Sequence, residues 1–350
     1  MNHATATELL RELEQLGQTI DKWGRRSSYS AFRSRSWADG ASSTPERAFW
    51  TWLTAPTDAV VPELRALSKA TIAGGAVLVP SDFAKRIDES RIESGPLGRL
   101  AAEFVTEKGS DLPVPLDPTA GTAAWVAESG ASTPSDDIFD QVTLKAYRGT
   151  ASVVVSEELL ADARVELDAF LGRRLGRRLA TLEESAFTTA DGVAKPLGIV
   201  HVSSPIPVVT AATGSATAFK RADVLTALEA LPPQYHADAS WIMSPSALTG
   251  LMKIVDSGQP LFGTGPEGLT MLGRRVFVSS AMPASAASAK AAAIGDWNLA
   301  YGVRRMAELA FQRLGEIRSG TGQVEFRLIE RIDGRPLLAD AARLLAHSAT

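Results

Sequence analysis

An α+β fold, organised by one long helix and one long β-ribbon, is the architecture this sequence predicts. Three observations carry that prediction. Leu160, Leu167, Leu171, Leu175, Leu179, Leu182 and Ala186 form an apolar stripe at helical spacing, behind a Ser156 cap. A segment from about Ile138 to Val155 alternates like a strand after a tip rich in Gly, Ser, Pro and Asp. From Ala218 onward, short helical patterns alternate with short apolar strands.

Taken in chain order, Leu9, Leu13, Leu16, Ile20 and Trp23 are spaced four, three, four and three apart, which is a heptad seam on a helix ending near residue 24. The seam lasts about two heptads, short of a sustained coiled coil. It suits either a helix packed on its own domain or one that pairs with copies of itself or with neighbouring subunits. A polar linker, RRSSYSAFRSRSWADGASSTP, leads to PERAFWTWL, a short amphipathic helix with Pro45 in its first turn. Gly74-Gly75 then breaks the chain and marks the main organisational boundary; VLVP is extended, and Ser81 or Asp82 caps a helix to about Ser94.

Phe104 to Lys108 begins one ribbon arm, DLPVPLDPTAG continues it, and Ile138 to Val155 returns. In the return arm Val142, Leu144 and Ala146 point one way and Thr143, Lys145 and Tyr147 the other. Arms of about fifteen residues reach roughly 50 Å. A two-stranded ribbon is marginal alone in water and leaves its edges open to pairing, so it must lie on something. Glu157 and Glu158 then favour the start of the long helix, which lasts to about Thr189, or ~50 Å. FKRADVLTALEAL reads as helix, SWIMS as strand, PSALTGLMKIVD as helix, and RRVFVSS and KAAAIGDW as strands, with AYGVRR next. GQVEFRLIERIDGRPLLADAARLL closes the chain as strand or helix segments, and AMPASAASAKAAA reads as a loose loop.

Composition narrows the function. The 350 residues suffice for one large domain or two ordinary ones. Hydrophobic residues at 45% and charged residues at 22% are those of a soluble globular chain. A net charge of −4 supplies no broad attraction to nucleic acid or to a membrane surface. With no cysteine, disulfides, thiolate nucleophiles and cysteine-ligated metals are excluded. MNHATATELLRELEQLGQTID lacks the apolar core of a signal peptide, and no run approaches the ~18 apolar residues of a membrane span. A soluble protein suited to a bacterial-type cytoplasm is expected.

Catalytic signals are sparse. GTGPEG at Gly263 to Gly268 matches G-x-G-x-x-G, but Pro266 and its flanks deny it a strand–turn–helix context, and a mobile loop is the expectation. The four histidines, His3, His201, His236 and His347, are scattered singly, without metal-ligand spacing, and are read as surface or locally bonded groups. Asp136, Asp137 and Asp140 are explained by turn formation and solubility. No metal and no cofactor is expected. In LGRRLGRRLA, Arg173, Arg174, Arg177 and Arg178 make a cationic stripe beside the apolar one. This suits a solvated helix flank or a surface facing a polyanion, attractive by charge alone.

The order of these pieces resembles the tailed-bacteriophage major capsid protein family of the Hong Kong 97 type, over about Ala73 to Ala346. GGAVLVPSDFAKRI resembles the start of that family's shell-forming part. WVAESGASTPSDDIFDQVTLKAYRGTASVVVSEELLAD resembles its extended loop running into the spine helix, and ESAFTTADGVAKPLGIV the acidic-Gly-x-x-x-Pro-x-Gly ending of that helix. WIMSPSALTGLMKIVDSGQPLF, MLGRRVFVSSAMP and AIGDWNLAYGVRR resemble three elements of its axial domain.

The resemblance implies a helical scaffolding-like segment at 1–72, an N-terminal arm at 73–103, an extended loop at 104–155, a peripheral domain at 156–217, an axial domain at 218–306, and a return to the peripheral domain at 307–350. It implies that the ribbon lies on a neighbouring copy, with Trp125, Glu128, Ser129 and Lys145 as candidate inter-subunit contacts. It implies pentamers and hexamers closing an icosahedral shell around packaged DNA, a portal protein and a maturation protease as further partners, and no membrane. Some members link subunits by an isopeptide bond from a loop lysine to an asparagine. Here Ser129 stands about where that lysine would sit, no lysine lies between Lys108 and Lys145, and RPLLADAARLLAHSAT lacks an asparagine, so a non-covalent shell is expected. Two alternatives stand beside this reading. One is an encapsulin-like compartment holding cargo enzymes; the other is an α/β enzyme using Asp296 or the glycine loop.

Overall fold

The computed structural model describes residues 77–78, 87, 89, 95–116, 140–162, 167–254, 261–265 and 268–350. The heptad seam, the glycine pair at 74–75 and the ribbon tip with Trp125, Glu128 and Ser129 lie outside these residues, while Ile87 and Glu89, within the helix expected at 82–94, are helical.

The described elements run in order as β1 (Val77–Leu78), α1 (Leu97–Leu100), β2 (Ala102–Thr106), β3 (Leu112–Leu116), β4 (Asp140–Leu144) and β5 (Tyr147–Ser156). Next come α2 (Glu157–Asp162), α3 (Leu167–Thr189), β6 (Val208–Thr210), α4 (Arg221–Glu229), β7 (Ser240–Met243) and α5 (Pro245–Met252). The hairpin β8 (Phe262–Gly265) and β9 (Gly268–Met271) precedes β10 (Arg274–Val278), β11 (Ala292–Gly295), α6 (Trp297–Ala300) and β12 (Tyr301–Met306). β13 (Ala310–Leu314), β14 (Gln323–Pro336) and β15 (Ala342–Ala346) end the series.

Among the described residues these strands make three sheets. The first is built on β14, whose fourteen residues are long enough to serve several partners. It pairs β13 along Glu325–Ile329, β12 along Ile332–Pro336, and β5 along Gln323–Ile332. β2 adds to β12 in parallel, and β1 to β13. One face of this sheet takes the leucine stripe. Leu171, Leu175 and Leu179 of α3 are fully buried against Val153 and Val155 of β5 and Val324, Phe326 and Leu328 of β14. The second sheet has the order β6-β15-β11-β7-β10-β9-β8. β7 and β11 are buried at every residue, as central strands covered on both faces must be. Trp241 and Met243 face Val224 and Ala227 of α4 and Leu251 of α5, whereas Ile242 faces the side that holds Phe187, Ile199 and Tyr301. The third sheet is the pair β3–β4 alone.

Local chemistry explains the element ends. Ser156 Oγ accepts the Leu159 amide at 3.2 Å, capping α2 as its position predicts, with Glu157 and Glu158 in the first turn. Ser244 Oγ caps α5 by accepting the Ala247 amide at 3.2 Å, ahead of Pro245 at the first helical position. The D-G-x-x-x-P-x-G run after α3 forms a tight return. Gly192 takes φ +80°, which favours glycine, and Asp191 accepts the Val193 amide at 3.0 Å. Gly198 then passes so close to the helix end that a Cβ there would lie 2.5 Å from the Thr188 carbonyl oxygen.

Several expectations change. The loop expected at 104–155 begins and ends inside the first sheet, because β2 and β5 are both its strands; of the described residues between Thr106 and Tyr147, β3 and β4 pair apart from that sheet. The long helix is described as α2 and α3, with 163–166 outside the described residues. Leu182 does not continue the stripe but is 47% exposed, because beyond Leu179 the buried face passes to Glu183, Glu184 and Phe187, where the second layer meets the helix. The domain limits expected at 217, 306 and 350 do not follow the sheets. β6 and β15 belong to the second sheet, and β12 to the first, since strand pairing joins segments distant in sequence. Gly263, Thr264, Gly265 and Gly268 of GTGPEG are strand residues, not the expected loop: β8 and β9 pair in register from Phe262↔Met271 to Gly265↔Gly268, with 266–267 outside the described residues. His347 is not a surface group. It is 1% exposed, stacked on Phe219 with ring centroids 3.8 Å apart, with its Nδ1 2.7 Å from the Ser215 carbonyl oxygen.

Candidate assembly surfaces

The most constrained polar site lies at the root of the β3–β4 pair. Register sets Leu112 opposite Leu144 and Val114 opposite Val142, so apolar residues share one face. The pair joins the first sheet through Glu107–Asp111 on the outgoing side and Lys145–Ala146 on the return. Arg304, 1% exposed in β12, reaches both. Its Nε donates to Thr106 Oγ1 at 3.0 Å, its Nη2 to the Lys108 carbonyl at 2.7 Å, and its Nη1 to the Leu144 carbonyl at 3.0 Å. Asp333 pairs with Arg304 across β12 and β14 and is fully buried. Its Oδ2 accepts the Lys145 amide at 2.7 Å and its Oδ1 the Gly334 amide at 2.8 Å. Burial raises the Asp333 pKa above the ordinary carboxylate value, against these bonds and the Arg335 guanidinium 3.5 Å away.

A second charged cluster ties the end of α3 to the first sheet. Arg305 lies 2.6 Å from Glu183, 3.0 Å from Glu103 and 4.0 Å from Glu330. Burial opposes its charge, but these carboxylates outweigh that and raise its pKa. Beside it, Glu184 accepts the Ser279 hydroxyl at 2.7 Å and the Leu97 amide at 3.3 Å, while burial raises its pKa.

The third feature is the open face of α3. Arg173, Arg174, Arg177 and Arg178 are all exposed, in pairs between buried Leu171-Gly172, Leu175-Gly176 and Leu179-Ala180. Arg174 lies over the half-exposed Phe170 ring, 5.8 Å from its centroid, and Arg178 donates to the Ser152 carbonyl of β5. The stripe is therefore a surface feature whose last member also fastens helix to sheet.

Of the residues singled out in the sequence, the four arginines come together on one helix face, and Lys145 is exposed at the root, joined through its backbone to Asp333. Leu9, Leu13, Leu16, Ile20, Trp23, Trp125, Glu128 and Ser129 lie outside the described residues. Asp296 serves as the N-cap of α6, accepting the Asn298 amide at 3.2 Å. Arg304, Arg305, Asp333 and Glu184 were missed. For Arg304, Arg305 and Asp333 the available signal was charge at successive positions of YGVRR and ERIDGR, in largely buried strands.

A family model described as the phage capsid family matches residues 75–346. Among solved structures, the capsid of an empty GTA particle aligns at 25% identity with a TM-score of 0.63, covering 84% of this chain and 99% of that one. The capsid of the native GTA particle aligns at 24% identity and 0.62, covering 84% and 100%. A structure from Mycobacterium phage Adephagia gives 15% and 0.53, covering 83% and 98%, and a virus-like particle from Pyrococcus furiosus gives 14% and 0.50, covering 75% and 97%. No curated protein sequence matches the chain.

Proposed function

Because the chain belongs to the phage capsid family, it is a structural major capsid protein of an icosahedral shell, and we propose how it builds that shell. Pentamers and hexamers of this one chain enclose double-stranded DNA, in a phage head or gene-transfer particle, without covalent links and without enzymatic activity. The observation that carries the reading is the β3–β4 pair, which among the described residues pairs with no other strand. A two-stranded ribbon of this kind is stable only on a further surface, and a sibling subunit supplies it. Heterologous contacts of this sort repeat by symmetry until the shell closes.

In this arrangement the first sheet with α3 forms the peripheral layer and the second sheet with α4 and α5 the axial one. Trp125, Glu128, Ser129 and Lys145 meet the neighbouring copy. The seam of Leu9, Leu13, Leu16, Ile20 and Trp23 joins segments 1–72 during assembly, in the host cytoplasm. The arginine stripe faces inward and holds DNA by charge. A portal protein and a maturation protease complete the set of partners. An encapsulin-like compartment is less favoured, because the GTA capsids align at higher identity and TM-score than the virus-like particle.

Negative-stain microscopy of the purified full chain and of residues 73–350 tests this. The full chain is expected to give uniform megadalton shells holding nucleic acid, and the shortened chain irregular ones. Enclosed folded protein would favour the compartment, a small discrete species would remove the shell, and uniform shells from 73–350 would remove the guiding role of the first segment.

A further inference from the structure

We propose that Arg304, backed by Asp333, is the positioning residue that sets the direction in which the ribbon leaves the subunit; this rests on the ribbon's being the inter-subunit contact. The two segments at the root belong to no sheet, and a five-residue hairpin on such linkers has no direction of its own. What holds them comes from the side. One planar guanidinium bonds the end of β2 through Thr106, the outgoing segment through Lys108 and the returning arm through Leu144. Asp333, its cross-strand partner, bonds the next amide, that of Lys145. The donors of a guanidinium have fixed mutual angles, so bonding both arms fixes their relative placement, which a lysine's single rotatable ammonium does not.

Burying this cation is costly, and its three bonds are all to uncharged acceptors. Core filling would be met as well by an apolar side chain; joining two linkers would not. The leverage is large. A tilt of about 10° at the root moves the far end of a five-residue strand by ~3 Å, the length of a hydrogen bond.

The test uses the full chain carrying Arg304→Lys or Thr106→Val, each read by hydrogen exchange in unassembled subunits and by particle diameter. In Arg304→Lys the Lys145 amide, which donates to Asp333 at the root, should exchange about tenfold faster, while the amides of 151–155 in β5 stay as in the parent. Assembly should give particles of mixed size. Thr106→Val removes one acceptor and should accelerate the Lys145 amide about threefold. Unchanged exchange at the root, or uniform particles of parental diameter from Arg304→Lys, would overturn the proposal. If Arg304→Lys does not fold, Thr106→Val decides: root exchange equal to the parent's sinks the idea. A parent chain that forms no shells removes the capsid arrangement proposed above, yet the exchange comparison still judges the lock.

Discussion

Glu184 occupies the corner where α3, the segment before α1 and the turn after β10 meet. Its carboxylate is 4% exposed, and burial raises its pKa above the ordinary 4.5 despite bonds from Ser279 and Leu97. A raised carboxylate binds its proton more tightly in the folded than in the unfolded state, so folding stability falls as pH rises from about the ordinary value through the raised one. Glutamine has the same shape, can accept from Leu97 and donate to Ser279, and cannot ionise. Glu184→Gln should therefore gain stability relative to the parent as pH rises through that window, measured by urea midpoints on either side of it. A constant difference would show that Glu184 titrates as it does in water. No sequence pattern marks this residue, because its burial depends on which layer crowns the last turns of α3.

On the scale of the element, α3 shows two faces in strict alternation. Leu171, Leu175 and Leu179 lie against the first sheet, and the four arginines stand beside them in exposed pairs. Both faces were readable in LGRRLGRRLA, since helical spacing alone assigns them. Replacing Arg174 and Arg177 with Gln leaves the Arg178–Ser152 bond in place and tests the DNA-facing role directly. Every arginine that no longer meets a phosphate should lower the slope of log affinity against log salt by about one. An unchanged salt dependence of DNA retention would return the stripe to a solvated flank. The ribbon was half readable. Alternation predicted β4 and β5 as one arm, but only the length of β14 draws β5 into the first sheet and leaves β4 outside it.

For the whole molecule, the proposed assembly is expected to proceed through non-covalent contacts, because no lysine occurs between Lys108 and Lys145 and no asparagine follows Asn298. Denaturing electrophoresis of mature particles should give a single band at or below the 37.1 kDa of the full chain. A ladder of linked chains would contradict this. The buried Arg305 cluster belongs to the same scale. It joins Glu103, Glu183 and Glu330 from three separated segments, so it exists only when the first sheet and α3 are assembled.

The sequence by itself determined the long helix and its two faces, the cap at Ser156, the alternating elements from Ala218 to about Asp296, and the order of pieces that marks the family. Each of these depends on neighbours within a few residues, where spacing and side-chain chemistry act directly. Tertiary structure alone decided that β15 closes the second sheet, that β12 crosses to the first, and that Arg304 meets Lys108 and Leu144. Those outcomes join residues far apart in the chain, 196 residues in the case of Arg304 and Lys108, and no local pattern encodes which distant carbonyl a buried guanidinium will find.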